Sequence, residues 1–335
     1  MKDLLLLVAS ALGNRPLSGP DFDRLCRWTV ADWKHILEEA KVQSVQGLVY
    51  HAVCLLPPGT PVPEEVLFLL VAKAESIAKK GRSMMAAARS LTERMARLGL
   101  HPRVIKGEET ARFYPDPSLR SYGDIDLFLP GDEFEDAVAS IRAEGYDVRK
   151  DTDGSFHFEF EGVNVDMHAR FYDLSCPPER LPGPFTPEGI LLMLSAHAMK
   201  HAVGVGVGLR QLCDAAAAFR FLDGKYDPEA YLAACRKAGI IPWTRLLHRF
   251  LEVYLGVPDR VFPENGVSPE PLLRLIREGG NFGHYGAGRL QAMGRSPLLR
   301  KADTVFRFLR HLPFSLRYAP RETATRIREL VRGNR

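Results

Sequence analysis

The sequence predicts an α+β fold: a small mixed-sheet core over residues 101–180, flanked by helical regions at 1–100 and 181–335. Three observations predict it. Both ends carry apolar residues at helical spacing. Between them the spacing switches to the alternation of short strands, broken by glycine turns. In the midst of that stretch, Gly123-Asp-Ile-Asp-Leu-Phe-Leu129 alternates acids with apolar residues.

The elements follow in order. Leu4 to Leu12 is an apolar run that reads as a first amphipathic helix; Asp3 beside Lys2 and the Gly13-Asn-Arg-Pro16 that follows suit a secretory leader poorly. Asp21 to Ala40 carries Phe22, Leu25, Trp28, Trp33, Ile36 and Leu37 at helical spacing. After the breaker cluster Pro57 to Pro63, Glu64 to Leu98 is a long periodic helix with an expected break near Gly81. Short strands are expected at 101–107, 123–129, 147–149, 156–160 and 163–168, with a helix from Asp132 to Glu144 that stops at Gly145. Asp153-Gly154 and Glu161-Gly162 are hairpin turns. Helices resume at Pro187–Val203, Leu209–Leu222, Pro228–Ala238, Ile241–Leu255 and Pro269–Glu278, and again after Leu298, beyond glycine-rich breaks at Gly279-Gly280 and 283–288.

With 335 residues, 46% of them hydrophobic, the chain can bury a large core, and 26% charged residues mark it as globular. A net charge of +4 is too mild to imply nucleic acid, though it tolerates anionic substrates. The five cysteines are scattered, odd in number and never in a C-x-x-C pair, which argues against a disulfide framework or structural zinc and for a reducing, cytoplasmic setting. No stretch reaches the apolar length of a membrane span.

The chemistry concentrates at a few places. On a strand, Asp124 and Asp126 point to one face, roughly 6.5–7 Å apart, while Ile125, Leu127 and Leu129 point to a core. Such a pair can hold two Mg²⁺ ions about 3.5–4 Å apart that clamp a phosphoryl group. Asp166, in the alternating Val163-Asn-Val-Asp-Met-His168, joins them if its register is right. Lys106-Gly107 ends one strand and opens a helix, so free backbone N–H groups and the lysine charge are available to a phosphate. Arg120 is placed to reach either a triphosphate or a loop acid such as Asp116. His197 and His201 share a helix face with Lys200 nearby, and Arg210 and Asp214 stand one turn apart on the next helix. No acid or thiol completes a zinc site at that spacing, so the reading is a cationic cluster that touches phosphates, against one of structural polar contacts. From Arg300 onward ten Lys/Arg face three acids, which suits either an RNA-gripping surface or a solvated terminal helix pair.

Taken together, Lys106-Gly107, Tyr114-Pro-Asp-Pro117, Arg120, Gly123-Asp-Ile-Asp-Leu127, Val165-Asp-Met-His168, His197/His201 and Leu209-Arg-Gln-Leu-Cys-Asp214 resemble the bacterial uncharacterised nucleotidyltransferase family, a branch of the DNA polymerase β-like nucleotidyltransferase superfamily. The resemblance implies a palm-like sheet and two Mg²⁺ ions. It also implies transfer of a nucleoside monophosphate from ATP or another nucleoside triphosphate to an acceptor hydroxyl, with release of pyrophosphate. Asp124 and Asp126 would bind metal, and Asp166 would be the third, catalytic carboxylate. Gly107 would approach the triphosphate, with Lys106, Arg120, Lys200, His201 and Arg210 around it. The sequence departs from the superfamily at Glu108, where a phosphate-binding serine is expected. The acceptor is left open among tRNA, protein, peptide and small molecule, and the alternatives are a catalytically inactive nucleotide-binding module and a tRNA-modifying, toxin-like nucleotidyltransferase.

Overall fold

The computed structural model describes residues 1–151, 154–204, 206–280 and 309–331. Five helices lead the chain: α1 Lys2–Gly13, α2 Gly19–Leu25, α3 Val30–Val42, α4 Gln46–Cys54 and α5 Glu64–Ala96. The core follows as β1 Arg103–Val104, α6 Glu108–Ala111, β2 Ile125–Phe128, α7 Gly131–Ala143, β3 Arg149–Lys150, β4 Phe156–Phe160 and β5 Val163–His168. It is succeeded by α8 Pro187–Val203, α9 Leu209–Phe221, α10 Pro228–Ala238, α11 Ile241–Leu255 and α12 Glu270–Gly279; residues 309–318 are helical, and α13 spans Pro320–Val331. The α+β class read from the sequence is the class observed. The expected turn at Asp153, the glycine-rich break at 283–288 and most of the basic tail before residue 309 lie outside the described residues.

Two expected helices differ in detail. The stretch from Asp21 to Ala40 is split, because Thr29 caps α3 in a reciprocal pair with Asp32 and ends the preceding turn. The expected break at Gly81 does not occur, and α5 runs through it. A Cβ at Gly81 would lie 2.8 Å from the Tyr122 ring, so glycine serves close packing there.

The sheet order is β1-β2-β5-β4-β3, with β2 and β5 parallel and the other pairs antiparallel. The β4–β5 hairpin closes through Glu161 and Gly162, both at positive φ (49° and 75°), the two-residue turn whose twist matches the strands. Strand alternation then sorts the faces. Ile125, Leu127, Phe156, Phe158, Phe160, Val165 and Met167 are buried against Met84, Leu91 and Met95 of α5 and Phe134, Val138 and Ile141 of α7. The opposite face carries Asp126, His157, Asp166 and His168.

The N-terminal and C-terminal helices share one hydrophobic core, in which the apolar run of α1 packs with α4 and α11. Buried Gln43 stitches the two ends. Its side-chain amide donates to Ile276 O at 3.0 Å, and its carbonyl accepts from Leu209 N–H at 2.9 Å. No helix among the described residues is long and apolar enough to cross a membrane.

Candidate functional site

The polar face of the sheet forms one wall of a cleft of about 670 Å³; α8, α9 and α13 supply the other. That volume is within the range of small-ligand pockets.

Parallel pairing of β2 with β5 sets Asp126 directly opposite Asp166, and Phe128 opposite His168. Antiparallel pairing sets His157 opposite Asp166 on the other side. His168 Nε2 lies 3.0 Å from Asp126 Oδ1, and the Lys106 ammonium lies 2.6 Å from the same oxygen. His157 Nδ1 hydrogen-bonds Asp166 Oδ1. An ionised carboxylate only accepts, so both imidazole nitrogens must carry the proton in these contacts. Asp126, Asp166 and His168 each offer a ligand atom within 4.8 Å of the others. Asp124 stands just before β2, half-buried and lining the same cleft.

Electrostatics separates the three acids. Burial alone would raise the Asp126 carboxyl, but the Lys106 ammonium and the His168 hydrogen bond hold it well below the usual carboxylate range. Burial, then the charges of Asp126 and Asp166, push Asp124 from 3.8 up to about 6, against the pull of Lys106 and Arg210. Asp124 accepts no hydrogen bond among the described residues. A half-buried carboxylate beside two others without a donor of its own is a group that a divalent cation relieves. The set of carboxylate oxygens and imidazole nitrogen fits one.

The residues expected to touch nucleotide are arranged differently from a free cationic cluster. Lys106 is 7% exposed and ion-paired with Asp126, which raises its pKa despite burial. Arg120 is bidentate on Asp214, Nε to Oδ1 and Nη2 to Oδ2 both at 2.8 Å; its partner is this helical acid and not Asp116. Tyr114 Oη donates to the same carboxylate at 2.6 Å. Lys200 pairs with Asp173 at 2.9 Å, and His197 Nδ1 lies 3.4 Å from Asp173. His197 and His201 meet at 3.2 Å, so the shared face is real. The rings are not cationic at neutral pH, however. Burial, then the Lys106 charge, brings His197 down to about 4, and burial, then His197 and Lys200, pushes His201 well below its ordinary value. The buried Arg210 donates to Ser121 O at 3.2 Å, and its Nη1 would lie 3.4 Å from a Cβ at Gly123.

The expected phosphate-binding helix start is a single turn, α6, with Gly107 at φ 60° before it. A turn that short has little dipole to offer. Glu108, which stands where a serine was expected, extends to Arg89 of α5 at 3.7 Å and does not line the cleft.

Several cleft residues were not anticipated from the sequence: His157, His168, Arg170, Asp173 and, from α13, Arg326. His168 was within reach of strand alternation, because it stands two residues after Asp166. Arg326 donates to Lys200 O at 3.3 Å and would crowd a Cβ at Gly204 to 2.6 Å, a contact between elements that no local spacing encodes.

A small mixed sheet with Asp126 and Asp166 on a parallel strand pair faces a helical wall across a cleft, an arrangement consistent with an α+β nucleotidyltransferase core. Residues 29–186 match a family described as uncharacterised nucleotidyltransferase. The match runs from the N-cap of α3 to the N-cap of α8, so it contains the acid wall and none of the helical one. No curated protein and no solved structure matches the chain.

Proposed function

We propose that the cleft transfers a nucleoside monophosphate from a nucleoside triphosphate to an acceptor hydroxyl, with Asp124, Asp126 and Asp166 as the carboxylates that carry a divalent cation, Mg²⁺ in the simplest case. The observation that carries this reading is the in-register pairing of Asp126 with Asp166 beside a third acid, Asp124, that accepts no hydrogen bond among the described residues. The bound cation would neutralise charge on the attacking and leaving oxygens.

The chain's own groups do the rest. Lys106 keeps Asp126 ionised. The acceptor O–H bond breaks as its oxygen bonds the α-phosphorus, the bond to the β-phosphate oxygen breaks, and pyrophosphate leaves. The acceptor's proton passes to a carboxylate oxygen of Asp166, whose Oδ1 is held by His157 and whose Oδ2 accepts no hydrogen bond among the described residues. Arg170, Arg210 and Arg326 line the cleft where they can meet phosphate oxygens. The sequence feature that favoured an inactive nucleotide-binding module, Glu108, is turned toward Arg89, so it does not obstruct the cleft.

The test is incubation with α-labelled triphosphates, Mg²⁺ and pools of tRNA, protein and small molecules. Label should pass to one pool with stoichiometric pyrophosphate, and the Asp124→Asn/Asp126→Asn variant should do neither. Pyrophosphate release that survives the double substitution would falsify the mechanism. Nucleotide binding by calorimetry with no release under any condition would leave only the binding module.

A further inference from the structure

His168 has no assigned role, yet it completes the metal-suited cluster. We propose that His168 Nε2 is a direct ligand, so that this cleft holds a first-row divalent transition ion in a mixed nitrogen–oxygen site and prefers it over Mg²⁺. The inference rests on the carboxylate reading above and names the class of cation that the site takes.

Three observations carry it. First, alternation and the parallel register bring His168 to the same face as Asp126 and Asp166, fixed by the β-ladder on both sides of β5. A ligand on a paired strand is held more tightly than one on a loop. Second, the distance fits. With bonds of about 2.1 Å, two adjacent ligands of an octahedral ion lie about 3.0 Å apart. The separation of His168 Nε2 from Asp126 Oδ1 is 3.0 Å, and Asp166 offers an oxygen within 4.8 Å of both. An entering ion would displace the Lys106 ammonium from the Asp126 oxygen, which it contacts at 2.6 Å, and draw the Asp166 side chain in by rotation. Third, the ring is largely shielded, with its side chain 12% exposed, and no described residue other than Asp126 bonds it. A metal bond at Nε2 uses that atom's lone pair, so the ligating ring carries no proton there. Imidazole suits transition ions, whereas Mg²⁺ favours oxygen and water, so one nitrogen ligand shifts the preference away from Mg²⁺.

Mn²⁺ alone is the probe, added to the full chain and read by electron spin-echo modulation. A ¹⁴N coupling is expected. It should convert to ¹⁵N when the protein is grown with ¹⁵N-histidine, a readout that needs no variant. The coupling should vanish in His168→Asn and persist in His157→Asn. Mn²⁺ affinity should drop about tenfold or more in His168→Asn, with Mg²⁺ affinity changed far less. Mn²⁺ that binds without a nitrogen coupling, or with one that survives His168→Asn, overturns the ligand assignment and leaves the carboxylate site standing. No Mn²⁺ binding at all overturns both readings.

Discussion

Asp126 and Asp214 are buried to the same degree, each 7% exposed, but their surroundings differ in kind. Asp214 is closed: both of its oxygens accept from Arg120, Tyr114 adds a third donor, and burial is outweighed so that its pKa falls. Asp126 is open: it shares its face with Asp124 and Asp166, and one of its oxygens draws both Lys106 and His168. Burying an acid does not make a site. A carboxylate whose donors are complete is a tie between elements, here between the loop before β2 and helix α9. A group of carboxylates short of donors has capacity left for a ligand.

The largest expected effect tests the open side. Asp126→Asn should lower nucleotidyl transfer by about 10³-fold or more, the scale of losing several kcal/mol of charge stabilisation at the transferring phosphate, as read from initial rates of pyrophosphate release. Asp214→Asn should act on stability instead. It leaves Arg120 buried without its charge partner, at a cost of about 3–5 kcal/mol in the unfolding free energy obtained by denaturant titration. If Asp214→Asn abolishes transfer at full stability, the contrast between tie and site is broken.

His197 sits on the boundary between the two walls, and its titration sharpens the comparison. Its value is about 4 in the folded protein against 6.5 for the free side chain, so the unfolded chain takes up the proton first. Its contribution to stability is full above pH 6.5 and is lost as pH falls from 6.5 toward 4, at about 1 kcal/mol per pH unit. Urea midpoints between pH 7 and 5.5 should therefore fall more steeply for the wild type than for His197→Gln. The smallest effect is expected at Glu108. Its pair with Arg89 is largely exposed, so Glu108→Ala should cost less than about 1 kcal/mol and leave the KM for nucleotide unchanged. A marked fall in KM would return the residue to the phosphate path.

The open side was the legible one. Period-two alternation made Asp126, Asp166 and the apolar residues between them readable, because a strand with one buried face admits only one register. Helix boundaries at Pro187–Val203 and Ile241–Leu255 were equally plain from apolar spacing and flanking glycines. The closed side was not legible. Asp214 lies 94 residues from Arg120 and 100 from Tyr114, and nothing local distinguishes it from a solvated helical acid. The same holds for the charge of His197 and His201, which spacing suggested as cationic and which burial makes neutral. Glycine disfavours helices, so spacing alone marks Gly81 as a break; its reason for being there, the Tyr122 ring, comes from a residue 41 positions on.

The parallel pairing of β2 with β5 also has a consequence in time. Asp126 meets Asp166 only after α7, β3 and β4 have been laid down between them, so the acid face assembles late, as a non-local contact. The ion pair between Arg120 and Asp214 waits longer still, for α9 to dock. During synthesis the segments of the acid wall are thus made before those of the helical wall, and a nascent chain ending short of α8 carries every carboxylate of that face without the wall opposite it.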